Sequence, residues 1–376
     1  MIVAFRSPHV AIAIFRSLVR AQGKRLVFLN ATPASLTGSR GGEAAAAEQL
    51  RIDERRRELA GKRPRGAMWR WWFIRSMAMK YAALRAMLVR RQAEAAFVWN
   101  GERGRRHMLA QAARDLSIPT LIFEHAPIPG RLTIDPAGVN ARASVPREPE
   151  FFRLWAAEHG TVDWRREGET LKARRPRKAG QPAASTTIPD NYIFLPLQVA
   201  TDTQILLNGR WVPSIREMLL AAIRQIPRLP EGWALVVKEH PSCRIKNADV
   251  LRARAQSRLV VSEAEDTFAL VRGAGGVLTL NSSVGLQSFF FDKPVCVLGD
   301  AFYRQPGLVE MADSEEELGN QFARAGDWSF DSELRDAFMS WLCDEYYVPI
   351  DEKNPTVISE RALAMVRRML GEQTVS

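Results

Sequence analysis

At 376 residues the chain has room for two domains with well-buried cores, and its ordinary apolar and charged fractions exclude wholesale disorder. Three cysteines, Cys243, Cys296 and Cys343, stand far apart without CxxC spacing, which argues against a disulfide framework or a zinc site and fits core packing in a reducing cytoplasm. The formal net charge of +11 is uneven: 34 Lys and Arg face 17 Asp and Glu through Asp190, and 19 face 25 beyond it.

Ile2 to Phe5 reads as a strand, His9 to Gln22 as a helix and Leu26 to Leu29 as a second strand. Arg6, His9 and Arg16 interrupt the apolar character of this opening and no small-residue cleavage site follows, so it parses as fold and not as a signal peptide. No apolar run reaches the roughly 18 to 20 residues a membrane-spanning helix needs, and the protein is expected inside the cell. Ala31 to Gly42 is small, polar and Gly-rich, a loop, and Glu43 to Gly61 is a charged helical stretch.

MWRWWFIRSMAMKYAALRAMLVRR, from Met68 to Arg91, sets aromatics beside Arg70, Arg75, Lys80, Arg85, Arg90 and Arg91. Two readings fit it equally: a helix lying on an anionic bilayer with tryptophans at headgroup level, or a core helix whose arginines snorkel to water. The basic half fits a polyanionic partner or a merely solvated Arg-rich surface. No zinc-finger spacing, RNP-type signature or recognition helix supports nucleic acid as that partner.

Ala95 to Trp99 is the next strand, closed by an Asn100-Gly101 turn; Arg105 to Leu116 is a helix and Thr120 to Phe123 a strand ending at Glu124. A carboxylate at the C-terminal tip of a strand occupies the usual ligand edge of an open α/β sheet, although Glu124 also fits a plain ion pair with an arginine. His125 reads as structural. Arg131 to Ala141 reads as an irregular loop with Pro, Gly and Asn, and Leu154 to Arg175 as a charged helix.

Pro176 to Asp190 has the Pro, Gly, Ser and Ala content of a linker, and the charge changes sign across it. The expected division is a basic N-terminal α/β domain at 1–175, a linker at 176–190, a second α/β domain at 191–350, and a terminal helix within 351–376 (Pro355 to Leu370) packing back on the first domain. In the second half Tyr192 to Leu197, Ala234 to Lys238, Leu259 to Ser262, Val277 to Leu280 and Val295 to Leu298 alternate with helices such as Ser214 to Gln225. That alternation implies a parallel sheet covered on both faces. The fold class is α/β, two Rossmann-type domains with parallel sheets facing across a cleft.

Three strand-end loops of the second half carry polar chemistry: Gln198 to Asp202, Lys238 with His240-Pro241, and Asn281-Ser282-Ser283 before a helix from Val284 to Phe291. In a parallel sheet they emerge at one edge, where hydroxyls at a helix N-terminus with His and Lys would bind a phosphate. Each also has a plain alternative: a capping serine pair, a turn histidine, a surface lysine, a loop aspartate or N-cap.

Taken with Trp99-Asn100-Gly101, Glu124 with Pro127 to Pro129, and Asp135-Pro-x-Gly138-Val-Asn140, these motifs resemble the bacterial capsule polysaccharide biosynthesis proteins, β-Kdo glycosyltransferases of GT-B-like fold, over roughly Ala95 to Gln305. The His-Pro and Ser-Ser motifs are also similar to those of bacterial GT-B sialyltransferases. The resemblance implies retaining transfer of Kdo from CMP-β-Kdo to a glycan or lipid-linked acceptor in capsule or lipopolysaccharide biosynthesis, with no metal and no cofactor beyond the CMP-sugar donor. It implies that Asp202 is the nucleophile, Glu124 the general acid or base, and His240 with Lys238 and Pro241 the phosphate clamp, with Ser282 and Ser283 donating to the same phosphate and Gln198 orienting donor or nucleophile. The expected location is cytoplasmic, peripheral at the inner membrane through Met68 to Arg91. A non-catalytic export or assembly factor, or a GT-B transferase using another nucleotide sugar such as CMP-sialic acid, are the competing readings.

Overall fold

The opening Ile-Val-Ala-Phe run is buried on both faces and forms β1 (Ile2–Phe5). After α1 (His9–Ala21), β2 (Leu26–Leu29) lies parallel to β1 with Ile2 opposite Leu26. In this computed structural model the described residues are 1–6, 8–29, 42–171, 186–243, 245, 247–253, 257–351 and 353–371. The loop expected at 31–42 therefore lies, save for Gly42, outside the described residues. Two long helices follow, α2 (Gly42–Leu59) and α3 (Ala67–Arg90), then β3 (Ala95–Trp99), α4 (Gly104–Arg114) and β4 (Thr120–His125), with β3 parallel to both β1 and β4.

Where an irregular loop was expected over Arg131 to Ala141, the chain turns back as β5 (Arg131–Asp135), antiparallel to β4 with Phe123 opposite Ile134. Its alternation is real but short: Leu132 and Ile134 enter one core while Arg131 and Thr133 point the other way, and Pro136 ends it. Successive residues of this sheet divide between two cores. Ile2, Ala4, Phe97, Phe123 and Ile134 pack with α1, and Val3, Phe5, Val98 and Ile122 pack with α3 and α4.

The chain forms two compact units: the described residues of 1–126, 130–145 and 343–376 in the first, and those of 127–129 and 146–342 in the second. This moves the expected boundary. α5 (Pro149–His159) starts on a proline suited to the first helical turn and stops at Gly160, φ 79°, so the helix expected over 154–175 is both earlier and shorter. Phe152 stacks edgewise on Phe338 and Trp341, and the Trp164 ring packs on Phe290 while its Nε1 donates to Asp336 at 3.1 Å. These aromatic partners draw 146–171 into the second unit. Most of the expected linker, 176–185, lies outside the described residues.

The second unit continues with β6 (Asn191–Pro196), α6 (Thr203–Asn208), α7 (Ile215–Gln225), β7 (Trp233–Lys238), α8 (Ala248–Ala253), β8 (Leu259–Val261), α9 (Thr267–Gly273) and β9 (Gly276–Thr279). Then come α10 (Ser283–Gln287), extended by a 3₁₀ turn over Ser288–Phe291, β10 (Val295–Val297), β11 (Glu310–Met311), α11 (Glu315–Ala323) and α12 (Ser332–Trp341). Every pairing is parallel and the strand order is β11-β10-β9-β6-β7-β8. That is the doubly wound order, in which the sheet reverses its direction of growth between β6 and β9.

After a π-helical turn at Leu342–Tyr346 the chain rejoins the first unit. β12 (Tyr347–Pro349) pairs antiparallel with β5, and α13 (Glu360–Met369) packs beside α1 with Ala362, Leu363, Met365 and Val366 buried. The division expected after 350 thus falls at 342/343. The first sheet reads β12-β5-β4-β3-β1-β2, parallel from β2 to β4 and antiparallel at the β5 and β12 edge, because hairpin and edge strand replace another crossover.

Candidate functional site

Ligands of doubly wound sheets bind outside the carboxyl ends of the strands where the order reverses. Here that is the end of β6 and β9, with β7 beside them, so the loops after these three strands share one edge. They are tied together by hydrogen bonds. Gln198 Nε2 donates to Asn281 Oδ1 at 3.0 Å, and Asn281 N donates back to Gln198 Oε1 at 3.3 Å, joining the loop after β6 to the loop after β9. Ala200 N lies 3.5 Å from Cys243 Sγ, joining the loop after β6 to the loop after β7. The loops after β6, β7 and β9 are thereby joined within this unit.

Each expected residue has a defined environment. Asp202 is exposed at the N-cap of α6, its Oδ1 accepting from Gln204 N at 3.0 Å. Gln198 is buried, and its amide is committed to Asn281. Ser282 caps α10, its hydroxyl accepting from Val284 N at 3.2 Å, and Ser283 is the first residue of that helix. His240 accepts at Nδ1 from Ser242 N at 3.1 Å across the turn that Pro241 makes, which puts the hydrogen of a neutral ring on Nε2. Lys238, the last residue of β7, donates from Nζ to the Glu263 carbonyl at 2.8 Å. Burial holds its ammonium below the usual lysine range, against the acidic neighbours Asp266, Glu263 and Glu265.

Glu124 belongs to the first unit. Near the end of β4, its Oε2 accepts from Asn100 Nδ2 at 2.6 Å and its Oε1 from His125 N at 3.2 Å. Asn100 sits at φ 63°, a left-handed conformation that asparagine tolerates, and this turns its amide toward the carboxylate. The His125 ring packs edgewise on Trp99, 5.1 Å between centroids.

Residues 157–343, nearly half of the chain and the part that holds all three second-unit loops, match the family described as capsule polysaccharide biosynthesis protein. Protein FixF of Sinorhizobium fredii is 29% identical over 71% of this chain and 63% of its own length. The capsule polysaccharide modification protein LipB of Neisseria meningitidis is 27% identical over 32% of this chain and 30% of its own. The chain therefore spans less than two thirds of either relative. Among solved structures, Thermosulfurimonas dismutans KpsC, a β-Kdo 2,7 transferase, superposes with a TM-score of 0.52 at 14% identity, covering 98% of both chains. The likeness establishes the fold, a GT-B-like pair of α/β domains.

Within the matched region, several contacts that hold the site were not legible from sequence. Asn281 Nδ2 donates to the carbonyls of Gln204 and Asn208, and Asn208 Nδ2 to Gln204 Oε1 at 2.8 Å, so a buried amide network fixes α6 against the loop after β9. The Tyr303 hydroxyl donates to the Ser282 carbonyl at 2.5 Å. A Cβ on Gly285, the third residue of α10, would collide with that hydroxyl, which is why the position carries no side chain. Buried amides have no periodicity; the signal available was the recurrence of amide residues, Gln198 and Asn281 after strands and Gln204 and Asn208 in α6. Outside the region, Asn100 was legible only as a turn residue, not as the partner of Glu124.

Proposed function

We propose that the protein is a glycosyltransferase that moves Kdo from CMP-β-Kdo to a glycan or lipid-linked acceptor with retention, in capsule or lipopolysaccharide biosynthesis. The observation that carries this reading is the family match laid over a doubly wound sheet whose three ligand-edge loops are bonded together at the order reversal. The name of the KpsC structure supports the sugar, and the fold supports a nucleotide-bound donor.

In this reading the α10 start, with Ser282, Ser283 and their backbone N–H groups, and the Nε2–H of His240 receive the donor phosphate. Lys238 fixes the loop at Glu263 and adds positive charge beneath, Pro241 sets the turn of His240, and Gln198 positions the loops through Asn281. The cap bond to Gln204 N holds the Asp202 carboxylate in one orientation. An Asp202 oxygen attacks the anomeric carbon as its bond to the phosphate oxygen breaks, and CMP leaves with the electron pair. The acceptor hydroxyl then attacks the same carbon from the face CMP vacated, gives its proton to Glu124 and releases Asp202; two inversions leave the configuration retained. Charge on the leaving group is met by chain donors without a metal. Buried free thiols and a nucleotide-bound donor support a reaction in the cytoplasm.

The test is incubation with CMP-Kdo generated in place and a Kdo-terminated or lipid-linked acceptor. Wild type should release CMP and form a β-linked product, mass spectrometry should find a sugar adduct on Asp202, and Glu124→Gln should slow turnover on the order of 10²–10⁴-fold. Turnover of CMP-sialic acid or a UDP-sugar instead would replace the donor, an α-linked product would remove the nucleophile, and glycan binding without turnover of any donor would make the protein an assembly or export factor.

A further inference from the structure

Helix α3 changes character along its length. From Met77 to Leu88 it supplies core, with Met77, Tyr81, Leu84 and Leu88 buried in the first unit. Ahead of that stretch Met68, Trp71 and Trp72 stand 84%, 64% and 58% exposed, and Arg75 is exposed with them. At about 100° per residue these four positions share one stripe, opposite the face that carries Met77, Tyr81, Leu84 and Leu88. The inward side of the same turns is anchored, since Phe73 and Ile74 pack on the core and Trp69 lies against Phe73 at 5.1 Å between centroids.

Charge surrounds this apolar stripe. From Gly61 to Ala93 the chain carries nine Lys and Arg and no Asp or Glu. Lys62, Arg63, Arg65 and Arg70 are exposed at the helix start. Arg65 lies 4.5 Å over the Trp69 ring, Arg75 lies 6.0 Å from the Trp71 ring, and Arg70 pairs with Glu54 at 2.9 Å. Side chains with an apolar body and an N–H tip favour the headgroup level of a bilayer, and cations around them favour anionic lipid. A phosphate backbone would answer the cations but leave the thioether and indoles in water.

We propose that the first turns of α3, with Met68, Trp71 and Trp72 at headgroup level and Lys62, Arg63, Arg65 and Arg75 around them, form a docking surface for an anionic lipid bilayer. The inference goes beyond the transferase reading and stands or falls separately from it.

The full chain should sediment with vesicles of phosphatidylcholine mixed with phosphatidylglycerol, not with phosphatidylcholine alone, and salt should weaken the binding. Trp71→Ala with Trp72→Ala, and Arg63→Glu with Arg65→Glu, should each lower the bound fraction by about tenfold or more without changing the thermal midpoint. Should a variant misfold, wild-type fluorescence reads insertion directly: lipids brominated near the headgroup should quench it, and Trp71→Phe with Trp72→Phe should keep binding while losing that quenching. Five results overturn the proposal: no sedimentation with either vesicle, equal binding to neutral vesicles, competition by free inorganic phosphate, preference for duplex DNA over anionic vesicles, or self-association that Trp71→Ala with Trp72→Ala abolishes.

Discussion

Asp135 is fully buried, and its carboxylate accepts from five donors: Ala137 N and Gly138 N on one oxygen, Ser144 N, Ser144 Oγ and the Tyr346 hydroxyl on the other, all between 2.7 and 2.9 Å. A buried charge with every lone pair occupied is sustained by that geometry, and removing it strands several donors at once. Asp135→Ala should therefore cost roughly 3–5 kcal/mol in urea unfolding of the first unit, far beyond an ordinary surface change. From sequence, Asp135 read as part of an irregular loop over Arg131 to Ala141. That Tyr346 arrives from more than two hundred residues away to complete the anchor was not legible, because nothing local in either segment encodes the meeting. The same limit hid the amide network: Asn281 and Gln198 each look like ordinary loop residues until the sheet places their strands side by side.

At the scale of elements, α2, α3 and α4 meet at Tyr81. A Cβ on Gly42 would come 2.7 Å from the Tyr81 ring, so the first residue of α2 approaches α3 as closely as backbone allows. The phenol donates to Asp115 at the end of α4. Burial first, then that hydrogen bond, pushes the Tyr81 phenol up to about 12. A folded value above the ordinary 10 means the contribution is whole below pH 10 and is lost as pH rises through about 12. The stability difference between wild type and Tyr81→Phe should accordingly be flat to pH 10 and shrink between pH 10 and 12 in parallel denaturation series. Elements with long or wholly apolar patterns were legible: the strands of the second sheet from their Val, Leu and Ile runs, and α1 from its 3.6 periodicity. β5 and β12 were not, since Arg131 and Thr133 dilute the one and Tyr347–Pro349 is too short to show a period. The two readings of Met68 to Arg91 competed because the segment has two halves, and the core reading holds for the second of them.

At the scale of the whole molecule, the first unit is assembled from both ends of the described chain. α13 contributes Ala362, Leu363, Met365 and Val366 to the core that includes Phe15, Phe97 and Phe123, and β12 supplies the strand beside β5. A chain stopped after Ile350 would keep β12 but uncover α1 and that core. Its first unit should unfold at a lower temperature than in the full chain while the second unit's transition is unchanged, as read by calorimetry; an unshifted first transition would show that α13 is an ornament. Composition made two domains legible, yet the division followed the charge change at Asp190 instead of the aromatic partners of Phe152 and Trp164. Charge reports surface, and it is packing that defines a unit.

The return of the chain through β12 and α13 also orders events on the ribosome. Everything the second unit needs has been synthesised by Leu342, whereas the first unit, though begun earlier, still lacks an edge strand and a covering helix. The nascent chain can thus complete its later half first and must keep the Phe15, Phe97 and Phe123 surface from sticking elsewhere until translation passes Met369, reversing the usual N-to-C sequence of domain maturation.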